Sequence, residues 1–182
     1  MTTPSIVKVI EGSAPADWMR MSLLSMPVVE AIHVLTAAVV FGTILIIDLR
    51  LLGFPNARRS FTRIEHELLR YTWGAFIISV VTGILMFAAN ATTYYGNTAF
   101  RLKMLALLVA GLNMAAFEFV TKRSVGSWDK DVTPAPAARF AGAASIVIWT
   151  AVIAIARWIA WTKGYGAGAS IPDNLNFDFS GP

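Results

Sequence analysis

Four separate runs of apolar residues, each long enough to cross the hydrocarbon core of a bilayer as a helix, dictate what this chain can fold into. Crossing about 30 Å at 1.5 Å per residue takes roughly 20 residues, and lipid offers a backbone no hydrogen bonds of its own, so each run must be helical. The runs cover about 27–52, 68–91, 100–120 and 139–162. The first is unbroken from Val34 to Ile47, and Tyr71 to Ala91 carries no charge. The third is charged only near its ends, at Arg101, Lys103 and Glu118, and the fourth is uncharged from Phe140 until Arg157. A mean hydropathy of +0.61 with 56% apolar residues is too high for an ordinary soluble domain. The sequence therefore predicts an all-α integral membrane four-helix bundle over 27–162, with extramembrane tails at 1–26 and 163–182. The first run starts too far into the chain for a signal peptide and is read as a retained span.

Charge sets the direction of crossing. With the first span starting on side A, side B receives Arg50, Arg58, Arg59, Arg63 and Arg70 in one loop and Lys122, Arg123, Lys130 and Arg139 in the other. Those are nine of the 15 basic residues, whereas the side A hairpin from Asn90 to Ala99 has none. The positive-inside rule makes side B cytoplasmic and puts both tails on the periplasmic side. Tyr94, Tyr95, Trp158, Trp161 and Tyr165 fit an aromatic belt at side A. The net charge of +4 is thus accounted for by membrane orientation and not by nucleic acid.

With no cysteine, the chain has no disulfide, thiolate metal site, iron–sulfur cluster or thioether-linked haem. Gly-x-Ser-x-Gly, Walker and His-Glu-x-x-His signatures are all missing, which argues against hydrolase and NTPase chemistry. What remains is a set of polar groups at similar depth below side A. Glu30 and His33 share one face of the first span by their i, i+3 spacing. The second span brings Met86, the third Arg101, Lys103 and Met104, and the fourth Arg157. Polar groups in a bilayer cost a few kcal/mol each, so they need a reason. One is a buried site in which His33 binds a metal, haem iron or a quinone oxygen and Glu30, Met86 or Arg157 assists. The other is that Glu30, Arg101, Lys103 and Arg157 snorkel to water and pair with one another to orient the helices. A single Glu-x-x-His falls short of a di-metal bundle, which needs two such motifs and further carboxylates.

His66, the second histidine, belongs to side B, about 20 Å from the depth of His33, and is a solvated interfacial residue in this reading. Asp48 and Arg50 end the first span and are expected to pair structurally with Glu118, Lys122 or Arg123. Asn113, deep in the third span, suits an interhelical hydrogen bond, with a ligand contact as the alternative. Gly42, Gly74, Gly83, Gly111 and the run Ala141 to Ser145 are expected at helix–helix faces.

The motifs Glu30-Ala-Ile-His33, Asp48-Leu-Arg-Leu-Leu-Gly53, Thr82-Gly83, Phe100-Arg-Leu-Lys103, Ala110-Gly-Leu-Asn113 and Arg157-Trp-Ile-Ala-Trp161 together resemble a family of small bacterial inner-membrane proteins known only as a domain of unknown function. The resemblance runs from Pro27 to Trp161. It implies a four-helix bacterial inner-membrane protein in which Glu30, His33, Asp48, Arg50, Asn97, Arg101, Lys103, Asn113 and Arg157 belong to a common pattern, with His66 and Trp161 as departures from it. A looser likeness, resting on helix count and a first-span histidine, is to four-helix haem and copper membrane proteins, among them b-type cytochromes and copper-resistance components.

Two functions follow as expectations. One is a redox-associated membrane subunit holding haem b, a metal ion or quinone near the periplasmic face. The other is a non-catalytic anchor, assembly or transport component. Either is expected in contact with the lipid bilayer and with copies of itself or other membrane subunits.

Overall fold

The computed structural model describes residues 4–54, 61–117, 119 and 134–164, and over these the chain is all-helical. Helix α1 (Ser5–Glu11) and α2 (Ala14–Met21) precede α3 (Ser25–Leu51), α4 (Phe61–Ala89), the short α5 (Ala91–Gly96), α6 (Thr98–Ala116) and α7 (Pro136–Gly164). Four stretches are long and apolar enough to cross a membrane: Ser25–Leu51, Glu65–Ala89, Thr98–Ala116 and Pro136–Ile159. The chain is a multi-pass membrane protein. Large apolar side chains such as Leu35, Ile77, Leu108 and Val147 stand out from the helix surfaces, an arrangement tolerable only where lipid takes the place of water.

Local chemistry fixes the helix ends. Pro27 sits in the first turn of α3, where its missing N–H would have no partner anyway. Gly53, with φ at 94°, closes the other end in the left-handed region that a side chain would resist. Gly53 N–H donates to Arg50 O at 3.1 Å and Phe54 N–H to Leu49 O at 2.9 Å, the paired bonds of a Schellman motif. Asn97 caps α6, its side-chain oxygen accepting from Phe100 N–H at 3.2 Å.

Two helix pairs build the molecule, α3 with α4 and α6 with α7, and they join through α3 and α7. That junction is tightest at the side B end. A Cβ added at Gly142 of α7 would lie 2.9 Å from Leu51 Cβ and 3.0 Å from Asp48 O, so glycine is what lets α7 approach α3. Leu51 and Ala138 are buried there against Ile47, Phe117 and Ala135. Among the described residues the chain neighbours α4 and α6 make little contact along their lengths and meet at the hairpin, where Phe87 stacks on Phe100 with ring centroids 5.4 Å apart. A seam therefore runs between them.

The segment 1–26, read from sequence as a tail, contains folded helices where it is described. Met19 of α2 is buried with Val29 and Ala89 against Met26, Leu85 and Met86. Arg20 donates through Nη1 to Ala89 O at 3.0 Å and through Nη2 to Glu11 O at 2.7 Å, and it pairs with Asp17. The Glu11 carboxylate accepts from the Thr92 backbone N–H at 2.7 Å and from its hydroxyl, tying α1 to α5.

Gly142→Ala should lower stability to unfolding in detergent by about 1–3 kcal/mol, because backbone as well as Leu51 must give way. Gly74→Ala and Gly111→Ala meet nothing within 4 Å and should be neutral or gain up to about 1 kcal/mol of helix propensity in the same assay. The Thr92 bonds hold the Glu11 carboxyl below its ordinary value of 4.5. A lowered carboxylate gives its full stabilisation above that ordinary value and loses it as pH falls through the lowered one. Protection factors of the α1 amides, exchange rates referred to the unfolded chain at the same pH, should accordingly fall on acidification, and Glu11→Gln should flatten that dependence.

Candidate functional site

His33 lies eight residues into α3, about 12 Å along the axis from its start, on the face turned to α4. Its Nδ1 is 3.0 Å from Ser79 O and 3.0 Å from Thr82 Oγ1. The Thr82 hydroxyl spends its one proton on its own helix, 2.8 Å from Ile78 O and 3.1 Å from Ser79 O. Both neighbours of Nδ1 are therefore acceptors, which requires Nδ1 to carry the proton. In the neutral ring Nε2 then presents a lone pair, and it makes no hydrogen bond among the described residues.

Gly83 completes the seat. A Cβ there would stand 3.2 Å from Cε1 and 3.7 Å from Nδ1, so the ring edge rests on a helix surface cleared by glycine. The charges acting on the ring are those of Lys103 and Glu30. Lys103, on α6 across the seam, is half-buried and makes no hydrogen bond or ion pair among the described residues. Glu30 lies one turn nearer side A and is exposed. The structure thus seats His33 of α3 on Ser79, Thr82 and Gly83 of α4, with the charges of Lys103 and Glu30 felt at the ring.

The other candidates fall elsewhere. Met86 packs into the apolar cluster beneath α2. Arg157 is exposed near the end of α7. Asn113 donates through Nδ2 to Ala141 O at 3.2 Å, joining α6 to α7. Arg101 is exposed at the start of α6, where it donates to Tyr95 O at 3.0 Å and stacks over the Tyr95 ring at 5.3 Å. His66 is exposed and seventeen residues before Gly83 on α4, about 25 Å down the axis. Among the described residues no three His, Asp, Glu or Cys side chains gather as a metal-binding group.

Asp48 and Arg50 are not at the interface facing water, as expected of helix-end charges, but 5% and 2% exposed. The physical reason is the close approach at Gly142, which lets α7 cover the end of α3. Asp48 hydrogen-bonds to Ser145 of α7, while its Oδ2 is buried without a hydrogen-bond partner among the described residues. Glu118, Lys122 and Arg123, the expected partners, lie outside the described residues.

A family model matches residues 18–162, a stretch that begins within α2 and takes in all four spans. The chain belongs to the DUF6644 family. It is a family of unknown function, so membership establishes kinship and assigns no chemistry. No curated protein and no solved structure matches the chain.

The sequence singles out His33 as a candidate and does not show what holds it. Ser79 acts through a main-chain carbonyl, which no sequence reveals, whereas Thr82-Gly83 was visible as a family motif without a role. Asn113→Leu should lower stability by about 0.6–2 kcal/mol, the range for an interhelical hydrogen bond in lipid, and leave the geometry at His33 intact. Detergent unfolding together with the ring proton shifts of His33 would check both halves of that expectation.

Proposed function

We propose that this protein is a redox-associated subunit of the bacterial inner membrane, side A facing the periplasm, that holds haem, a metal ion or quinone at His33. The observation that carries the reading is the paired acceptors on Nδ1. A histidine fixed at one nitrogen by a carbonyl and a hydroxyl offers the other at a set angle, the arrangement by which proteins prepare an imidazole as ligand or hydrogen-bond acceptor. Lys103 and Glu30 bring charges of both signs to bear on the ring. The subunit works with copies of itself or with other membrane subunits, since one histidine supplies a single ligand.

A second reading draws on the same bonds. In a non-catalytic anchor, assembly or transport component, His33 would serve only to lock α3 onto α4, each bond worth about 0.6–2 kcal/mol. The two readings part on composition. Protein purified from a haem-competent host should carry Soret absorbance, stoichiometric metal or solvent-extractable quinone, and His33→Ala should remove it. If wild type carries none of the three, or His33→Ala leaves all of them unchanged, the anchor reading stands instead.

A further inference from the structure

We propose that α1 and α2 form an interfacial anchor, a pair of helices lying in the side A boundary of the bilayer with Ile6, Val9, Trp18 and Met21 turned into lipid and Lys8 and Asp17 toward water. The partner is the lipid surface itself, and the role holds whatever His33 binds.

The 27 residues of α3 extend about 40 Å, which exceeds a hydrocarbon core of about 30 Å by roughly 5 Å at each end. Val29, four residues into the helix, stands about 6 Å along its axis and so at the edge of the hydrocarbon. Met19 of α2 is buried in one cluster with that Val29 and with Ala89, the last residue of α4. A straight helix would hold residues 19 and 29 about 15 Å apart, so the chain doubles back between α2 and α3 to make this contact. Helix α2 is thus held beside the ends of two spans, where Arg20 grips Ala89 O, and not above them. Glu11 ties α1 to Thr92, just past the end of α4, at a similar level.

Each of the two helices shows three faces at that depth. In α2, Ala16 and Met19 are buried on the bundle, Asp17 and Arg20 make a polar edge, and Ala14, Trp18 and Met21, spaced i, i+4 and i+7, make an exposed apolar edge. In α1, Val7 is buried, Ser5 and Lys8 are polar and exposed, and Ile6 and Val9 are apolar and exposed. Water gives the third face nothing to gain, whereas a helix at a membrane surface sinks it into the acyl boundary. Trp18 adds an apolar ring with a single N–H, which favours that boundary. Lipid is the occupant because the exposed apolar surface is continuous with that of the first span. It passes from Trp18 and Met21 through Leu24 to Val28, Ile32 and Leu35 of α3. Leu23 and Leu24, in the link between the helices, are 93% and 72% exposed, a cost in water that the boundary removes.

The chain has no cysteine, so a single introduced one reports a single site. Ile6→Cys, Val9→Cys and Met21→Cys on the apolar edges, and Lys8→Cys and Asp17→Cys on the polar ones, would each be spin-labelled in the full chain. The labelled proteins would be placed in nanodiscs of phosphatidylcholine and phosphatidylglycerol, with Leu35→Cys as the lipid standard. Power saturation compares collisions with oxygen, which concentrates in lipid, and with nickel ethylenediaminediacetate, which stays in water. The oxygen-to-nickel ratio should be severalfold higher at Ile6, Val9 and Met21 than at Lys8 and Asp17, approaching that of Leu35. Equal access of nickel to all five positions would overturn the proposal, since the face would then stand in water. Shielding of Ile6, Val9 and Met21 from both reagents would overturn it in favour of a second copy or another protein covering the face. All five positions are exposed, and should one variant fail to fold, the remaining label on its edge decides the comparison.

Discussion

Everything in this fold answers to one constraint: in hydrocarbon a polar group has no water to fall back on, so its partner must come from the protein. Helix α3 carries that burden for both halves of the molecule. Near side A it hands His33 to α4, and near side B it hands Asp48 to Ser145 of α7. The two contacts leave on different faces of the same helix, about 22 Å apart along its axis. The pairs α3–α4 and α6–α7 are thereby held to a common strut, while α4 and α6 are free of any need to pack on one another.

The seat of His33 shows how small residues and main-chain atoms prepare a side chain. Gly83 removes the one atom that would push the ring off α4, and the neighbouring turn contributes a carbonyl and a hydroxyl whose polarity decides the tautomer. The same bonds both brace two helices and aim a nitrogen.

The spans were legible because hydrocarbon imposes length and apolarity on every segment that crosses it, a signal carried by each residue from Val34 to Ile47 independently of the rest. Counting residues sets Glu30 and His33 near the start of α3 and Lys103 near the start of α6. Which faces meet was not legible. Helices α3 and α6 are apolar almost all round, so no stripe marks the side that packs, and the partnership of Gly142 with Asp48 and Leu51 appears only when the backbones are in place. The short helices before Ser25 were hidden differently: their attachment rests on Arg20 and Glu11 reaching groups that lie 69 and 81 residues later in the chain.

That separation has a consequence for biogenesis. The first two helices find Ala89 O and Thr92 only after the second span has crossed and the hairpin has turned, so during synthesis they must wait. At about 5–20 residues per second, 81 residues amount to roughly 4–16 s. For that interval Met19 has no Ala89 or Leu85 to bury against, and insertion of residues 61–96 becomes the event that releases the segment from waiting into its docked form.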